Sequence, residues 1–186
     1  MKRLFDLILA TVLIILLAIP MVLIAICVRL TSKGPILYWS DRIGQDIKLF
    51  RMPKFRSMLI DTPTIASHLM INIDKSITTT GRLMRRSSLD ELPQLFSILK
   101  GDMSFVGPRP ALFNQKDLID LRRRKGVYKL LPGITGWAQV NGRDKLSIVN
   151  KVDLDVEYLN KQSFSFDLRI LWKTLLAVMK RENISH

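Results

Sequence analysis

The hydrophobic positions divide the chain into one uninterrupted apolar run and a longer stretch of mixed character. Residues 7–28 read LILATVLIILLAIPMVLIAICV, without a charged side chain. As a helix this run is about 33 Å long, roughly one hydrocarbon thickness. It is longer than the apolar core of a signal peptide, and it leads into RLTSKG rather than a small-residue cleavage site. The pattern therefore predicts a retained membrane segment. Lys2 and Arg3 precede the run, and Arg29 and Lys33 follow it, so the positive-inside rule keeps both flanks in the cytoplasm. Pro20 removes a backbone donor inside the run and can kink the helix. The pattern leaves two readings open: a plain span, or a re-entrant hairpin broken at Pro20.

Beyond the run the periods are short. The stretches PILYW and IKLFRM alternate like strands and predict a hairpin turning near Gly44, Gln45 and Asp46. Residues 59–80 are mixed and polar, and predict a loop with a short helix. GRLMRR and LPQLFSILKG carry helical spacing, with Gly101 as a stop. DLIDLRRRKGVYKLL predicts a basic amphipathic helix, and PGITGWAQVNGR, rich in glycine, predicts a loop. NKVDLDVEYLNKQ and FDLRILWKTLLAVMKR predict two closing helices. The second has a wide apolar face interrupted by Lys173, Lys180 and Arg181. Packing on the core explains that face, and a membrane surface would also suit it.

Composition adds a charge bias. Across 186 residues, 29 lysines and arginines face 16 acids, for a net charge of +13. Such a balance favours anionic partners: nucleic acid, acidic lipid or phosphorylated substrates. The single cysteine, Cys27, excludes an intrachain disulfide. His68 and His186 lack Cys or His companions, which argues against zinc and leaves open a metal held by carboxylate and phosphate oxygens.

The candidate chemistry centres on SSLDELPQL. Ser88 and Glu91 have the spacing of a capping box. Alternatively, Pro93 starts the helix and Asp90 and Glu91 stand just before it. Both placements put the acids near a positive helix end, which favours ionised carboxylates. An ionised aspartate can attack phosphorus, provided that cations offset the like-charge repulsion. Lys54, Arg56, Arg85, Arg109 (between two prolines) and Arg143 (after a glycine-rich stretch) are candidates; singly, each is also an ordinary surface charge. Asp102 suits a cap for the next element, and Trp137 suits either an interior site or stacking on a base.

The motifs KRLFDLILA, DRIGQ, KFRSM, TTTGRLMRRSSLDELPQL, GDMSFVGPRP, PGITGWAQVNGR and LDVEYL follow one another along nearly the whole chain. In this order they resemble the bacterial sugar transferases, specifically the small monotopic phosphoglycosyl transferases. The resemblance implies an α/β, mostly α, monotopic membrane enzyme. Residues 1–33 would form a re-entrant membrane helix broken at Pro20, where the family's Ser-Pro pair is Ile19-Pro20. Residues 34–186 would form a cytoplasm-facing catalytic domain with interfacial amphipathic helices.

The implied reaction moves a sugar-1-phosphate from a UDP-sugar to undecaprenyl phosphate and releases UMP by a ping-pong route. Asp90 would be the covalent nucleophile and a Mg2+ ligand, and Glu91 its partner. Lys54, Arg56, Arg85, Arg109 and Arg143 would bind phosphate. The implied partners are the two substrates and membrane lipids, with no nucleic acid, and a homodimer is an admissible assembly. The implied location is the cytoplasmic face of the bacterial inner membrane. The rival reading is a membrane-tethered basic protein that binds lipid or nucleic acid without catalysis.

Overall fold

The computed structural model describes residues 1–60, 62, 76–142 and 145–179. Arg143, His68, His186, Lys180, Arg181 and most of the segment expected as a loop at 59–80 lie outside the described residues. The first element, α1 (Lys2–Thr31), is a single 30-residue helix with Pro20 inside it. It is long and apolar enough to cross a membrane.

Protein covers only one stripe of α1. Leu9, Ala10, Leu13 and Leu17 pack on the main core, while Met21, Ile24, Ala25 and Val28 pack on a second cluster with Phe55 and Met84. Leu4, Ile8, Val12, Ile15, Ile19, Val22, Leu23 and Ile26 are exposed. A helix apolar on all sides needs an apolar environment on all sides. The uncovered faces of α1 are therefore compatible with lipid, and membrane anchoring is the coarse conclusion.

Both ends of α1 are pinned to the rest of the protein by polar groups. Lys2 Nζ donates to Asp167 Oδ2 at 2.6 Å and to the Val106 carbonyl at 3.0 Å. Arg3 donates to the Ile98 and Leu99 carbonyls at 2.6 and 2.9 Å, near the negative end of a later helix. Buried Asp6 accepts from the Phe105 N–H at 3.2 Å. At the other end, Arg56 Nη2 donates to the carbonyl and hydroxyl of Ser32 at 2.9 and 2.6 Å.

The expected hairpin is present. β1 (Leu37–Ile43) pairs antiparallel with β2 (Leu49–Phe55), with Leu37 opposite Phe55 and Ile43 opposite Leu49. Helix α2 (Thr79–Arg86) starts at Thr78, whose hydroxyl accepts from the Gly81 N–H. A 3-10 turn at Leu89–Glu91 follows, then α3 (Gln94–Lys100), which ends at left-handed Gly101. β3 (Ser104–Val106) comes next, and β4 (Ala111–Leu112) adds to β1 in the sheet order β2-β1-β4. α4 (Lys116–Arg124) stops before left-handed Gly126 and is shorter than its sequence pattern suggested.

The glycine-rich segment expected as a loop instead contains β5 (Gly133–Thr135), parallel to β3, and a short helix α5 (Trp137–Val140). Its glycines mark close backbone approach, not freedom. A Cβ on Gly133 would lie 2.1 Å from the Gly107 nitrogen. Gly133→Ala should therefore destabilise the fold by about 3 kcal/mol, as overpacking with no flexible neighbour does. A thermal melt in detergent checks this, and an unchanged Tm would remove the explanation.

The chain closes with α6 (Ile148–Lys161) and α7 (Phe164–Met179), as expected. α7 has two faces. Asp167 and Ile170 are buried, whereas Phe164, Leu168, Trp172, Leu175 and Met179 form an exposed apolar stripe. Trp137 is part of the packing: its ring lies 5.0 Å from Phe166 and under Lys173, and its Nε1 donates to Glu157 at 2.8 Å.

Candidate active site

Strand β2, the turn ahead of α3 and the loop after β3 converge on one small polar centre. Lys54, on β2, donates to Glu91 Oε1 at 2.6 Å. Arg109, from the GPRP loop, reaches the same oxygen at 3.4 Å. Asp90 is the neighbouring acid and is buried, only 8% exposed. Burial pushes its carboxyl up to about 6, against the opposing pull of Lys54; Glu91 adds to the rise and Arg85 works against it.

This corrects the expectation drawn from the helix end. Loss of hydration outweighs any benefit from the short α3 for Asp90. The capping box is absent too. Ser88 is left-handed, with φ +56°, and its side chain caps nothing, while Glu91 turns to Lys54 instead. Burial also lowers the Lys54 ammonium below its usual range, although Glu91 opposes this.

Four candidate residues thus meet: Lys54, Asp90, Glu91 and Arg109. Arg85 is buried on α2, contacts Met58 Sδ at 3.3 Å and is close enough to act on the Asp90 charge. Arg56 sits apart, at the exit of α1. Its Nε and Nη1 are buried without a hydrogen-bond partner among the described residues. Asp102 binds exposed Lys100 at 2.8 Å.

One neighbour was overlooked in the sequence. Arg42, on β1, lies on the sheet face shared with Lys54 and donates to the Pro110 carbonyl at 3.1 Å. Burial and Arg109 lower it to about 10. The signal was the two-residue alternation of the hairpin, which sets position 42 opposite Phe50 and on the same face as Met52 and Lys54.

Arg109 is itself held from behind. Arg122 Nη1 donates to the Arg109 carbonyl at 2.8 Å, and Arg122 also clasps Asp155 Oδ2 through Nε at 2.9 Å and Nη2 at 2.8 Å. Asp155 is 1% exposed. The first arginine of the expected basic helix face thus points inward, while Arg123, Arg124, Lys125 and Lys129 are exposed.

A buried carboxylate beside a lysine–glutamate pair and an arginine clamp is suited to phosphoryl chemistry. Comparison with known proteins agrees. The family model for the bacterial sugar transferases matches residues 1–181. The chain belongs to the bacterial sugar transferase family. It is 40% identical to an uncharacterized sugar transferase, EpsL, of Bacillus subtilis over 99% of this chain and 90% of that protein. It is 38% identical to the UDP-glucose:undecaprenyl-phosphate glucose-1-phosphate transferase of Escherichia coli over 94% of this chain, but 39% of that protein. Similarity to the undecaprenyl-phosphate galactose phosphotransferase of Salmonella typhimurium is 35% identity over 98% of this chain and 41% of that protein. The chain thus spans about two fifths of the length of these two named transferases.

Proposed function

We propose that this sugar transferase moves a sugar-1-phosphate from a UDP-sugar to undecaprenyl phosphate and releases UMP. The observation that carries this reading is buried Asp90, set beside the Lys54–Glu91–Arg109 cluster in a protein anchored by α1. In the first half-reaction an Asp90 oxygen attacks the phosphorus bearing the sugar. The bond to the UMP oxygen breaks, and UMP leaves with that electron pair. In the second, an oxygen of the lipid phosphate attacks the same phosphorus and Asp90 departs. Lys54, Arg85 and Arg109 would offset the phosphate charge, with Arg143 as a further phosphate ligand; Arg56, expected to join them, is engaged with Ser32 at the exit of α1. Glu91 orients Lys54 and Arg109 and would accept a proton from the incoming lipid phosphate.

Mg2+ fits this donor set. Among the described residues no group of three acids, histidines or cysteines gathers around one point. That suits an ion held by one carboxylate and the oxygens of a diphosphate. Asp90 would be the protein ligand, and the ion would supply charge neutralisation at the phosphates.

Re-entry of α1 is part of the proposal. Its two ends bind the same protein body through Lys2, Arg3 and Asp6 on one side and Ser32 on the other. This supports an anchor whose two flanks stay on one face of the bilayer, although α1 runs unbroken through Pro20, with α7 lying along the bilayer on its exposed apolar stripe. The catalytic centre would then sit on the cytoplasmic face of a bacterial plasma membrane, at headgroup level.

The test is intact-mass analysis after incubation with UDP-sugars and no lipid acceptor. The expected result is a phosphosugar adduct that is absent in Asp90→Asn. Release of UMP without any adduct would replace the two-step route with direct transfer. For the non-catalytic rival, Asp90→Ala would leave function intact while charge reversal at Arg123, Arg124 and Lys125 destroyed it.

A further inference from the structure

Arg109 is the member of the catalytic cluster that its own segment does least to secure. Lys54 sits inside β2, and Asp90 and Glu91 sit inside a 3-10 turn. Arg109 lies in the connection between β3 and β4. Its neighbours Pro108 and Pro110 have no N–H to give, so the loop cannot brace itself with their donors. The Arg109 side chain is 33% exposed, which leaves it open to a substrate as well as to Glu91.

The bracing comes from three other elements. The Pro108 carbonyl accepts from the Gly133 N–H of β5 at 2.9 Å. The Pro110 carbonyl accepts from Arg42 on β1 at 3.1 Å. The Arg109 carbonyl accepts from Arg122 Nη1 on α4 at 2.8 Å. Arg122 is in turn aimed by Asp155 on α6: its Nε and Nη2 reach Asp155 Oδ2 at 2.9 and 2.8 Å. Three directed contacts from one planar fork fix both the position and the tilt of the guanidinium.

A staple between α4 and α6 does not account for this pair. Both side chains are mostly buried, and burial raises the Asp155 carboxyl above its ordinary range against the pull of Arg122. Apolar side chains of similar size often join two elements as well as a buried ion pair does. They offer no donor to a carbonyl. What an arginine adds here is the fixed bond to Arg109.

Resting on the reading of Arg109 as a phosphate clamp, we infer that Arg122 is a positioning residue of the transfer reaction, aimed by Asp155 and acting through the Arg109 backbone. It touches no substrate itself. It holds the backbone of Arg109 so that the guanidinium meets the diphosphate oxygens without first having to be ordered. A misplacement of about 1 Å in such a clamp costs on the order of 10²-fold in rate.

The test is a double-mutant cycle on the full chain in nanodiscs. Arg122→Lys keeps the positive charge facing Asp155 but gives up the fork. It should lower kcat/KM for the UDP-sugar about 10- to 100-fold, with little change in Tm. In an Arg109→Ala background the same change should cost less than about twofold, the scatter of independent sites, because the side chain it positions is gone. Arg122→Met combined with Asp155→Leu removes both charges, should stay folded, and should show the same dependence on Arg109. The cycle is also read as the Kd of pyrophosphate, which needs no knowledge of the sugar. Arg122→Lys should weaken that binding only where Arg109 is present. Equal losses in both backgrounds would make the pair a structural staple and overturn the inference, as would wild-type turnover in Arg122→Lys. Full activity and pyrophosphate affinity in Arg109→Ala would remove the clamp and the inference with it. If no UDP-sugar yields UMP while the pyrophosphate cycle still couples, the donor reading falls and the positioning of Arg109 stands.

Discussion

Asp90→Asn is expected to abolish transfer and, at the same time, to make the protein more stable. Folding places the Asp90 carboxyl where burial raises it from 3.8 to about 6. Below about pH 4 the group is protonated in both folded and unfolded chains and costs nothing. As the pH rises through 6, the unfolded chain is already ionised and the fold must hold a charge it disfavours. At pH 8 that cost is about 3 kcal/mol, and asparagine escapes it. Thermal melts in detergent with EDTA, which keeps divalent metal away, should show Asp90→Asn melting about 6 to 12 °C above wild type at pH 8. The gain should shrink to nothing towards pH 4. A variant that melts lower at pH 8 would mean that the ionised carboxylate stabilises the fold, contrary to its burial. The same rise predicts an acid limb in kcat/KM, which reports the free enzyme, no higher than about pH 6 and lower with a cation on Asp90, because attack needs the ionised form.

Lys54→Ala should move that limb upward. Lys54 is the strongest of the charges that hold Asp90 down. Without it Asp90 ionises at higher pH, and Glu91 loses its partner at 2.6 Å. Both side chains of the pair are mostly buried, 14% and 15% exposed, so solvent replaces little of the lost interaction. The expected loss in kcat is about 10²- to 10³-fold, as for removal of one preorganised charge stabiliser. In wild type, burial lowers the Lys54 ammonium, so activity should also fall on the alkaline side before pH 10.5, giving a bell. Steady-state rates from pH 5 to 10 check both limbs. An acid limb that stays in place in Lys54→Ala would separate Lys54 from the ionisation of Asp90.

Elements with a local signature were legible in the sequence. The run at 7–28 reports α1 because its composition leaves no alternative. The hairpin at 37–55 follows from alternation, and α6 and α7 from helical spacing. The pairing of Asp90 and Glu91 with Lys54 and Arg109 was anticipated from resemblance, because residues 54, 90 and 109 carry no mutual signal in one sequence.

The misreadings share a cause. Gly133 and Gly136 look like loop residues by type, but each serves a backbone contact with Gly107, far away in sequence. Ser88 and Glu91 matched a local rule, yet Lys54 competed for the carboxylate and won. The charge state of Asp90 was argued from the nearest helix end, whereas burial by distant segments sets it. Arg122 was counted as surface charge because Asp155, its partner, lies 33 residues on.

The covered stripe of α1 has a consequence for how the protein can exist at all. Leu9, Leu13 and Leu17 belong to the same core as Val152, Tyr158 and Ile170. The anchor is therefore a structural wall of the enzyme, not a tether attached to it. Cutting it away would open the core to water and break the Lys2–Asp167 link, so no trimmed soluble version should keep its shape. With lipid on the outer side of that wall, as proposed, folding and insertion would be coupled. On the proposed reaction the enzyme would then meet its lipid acceptor by lateral diffusion at a fixed height.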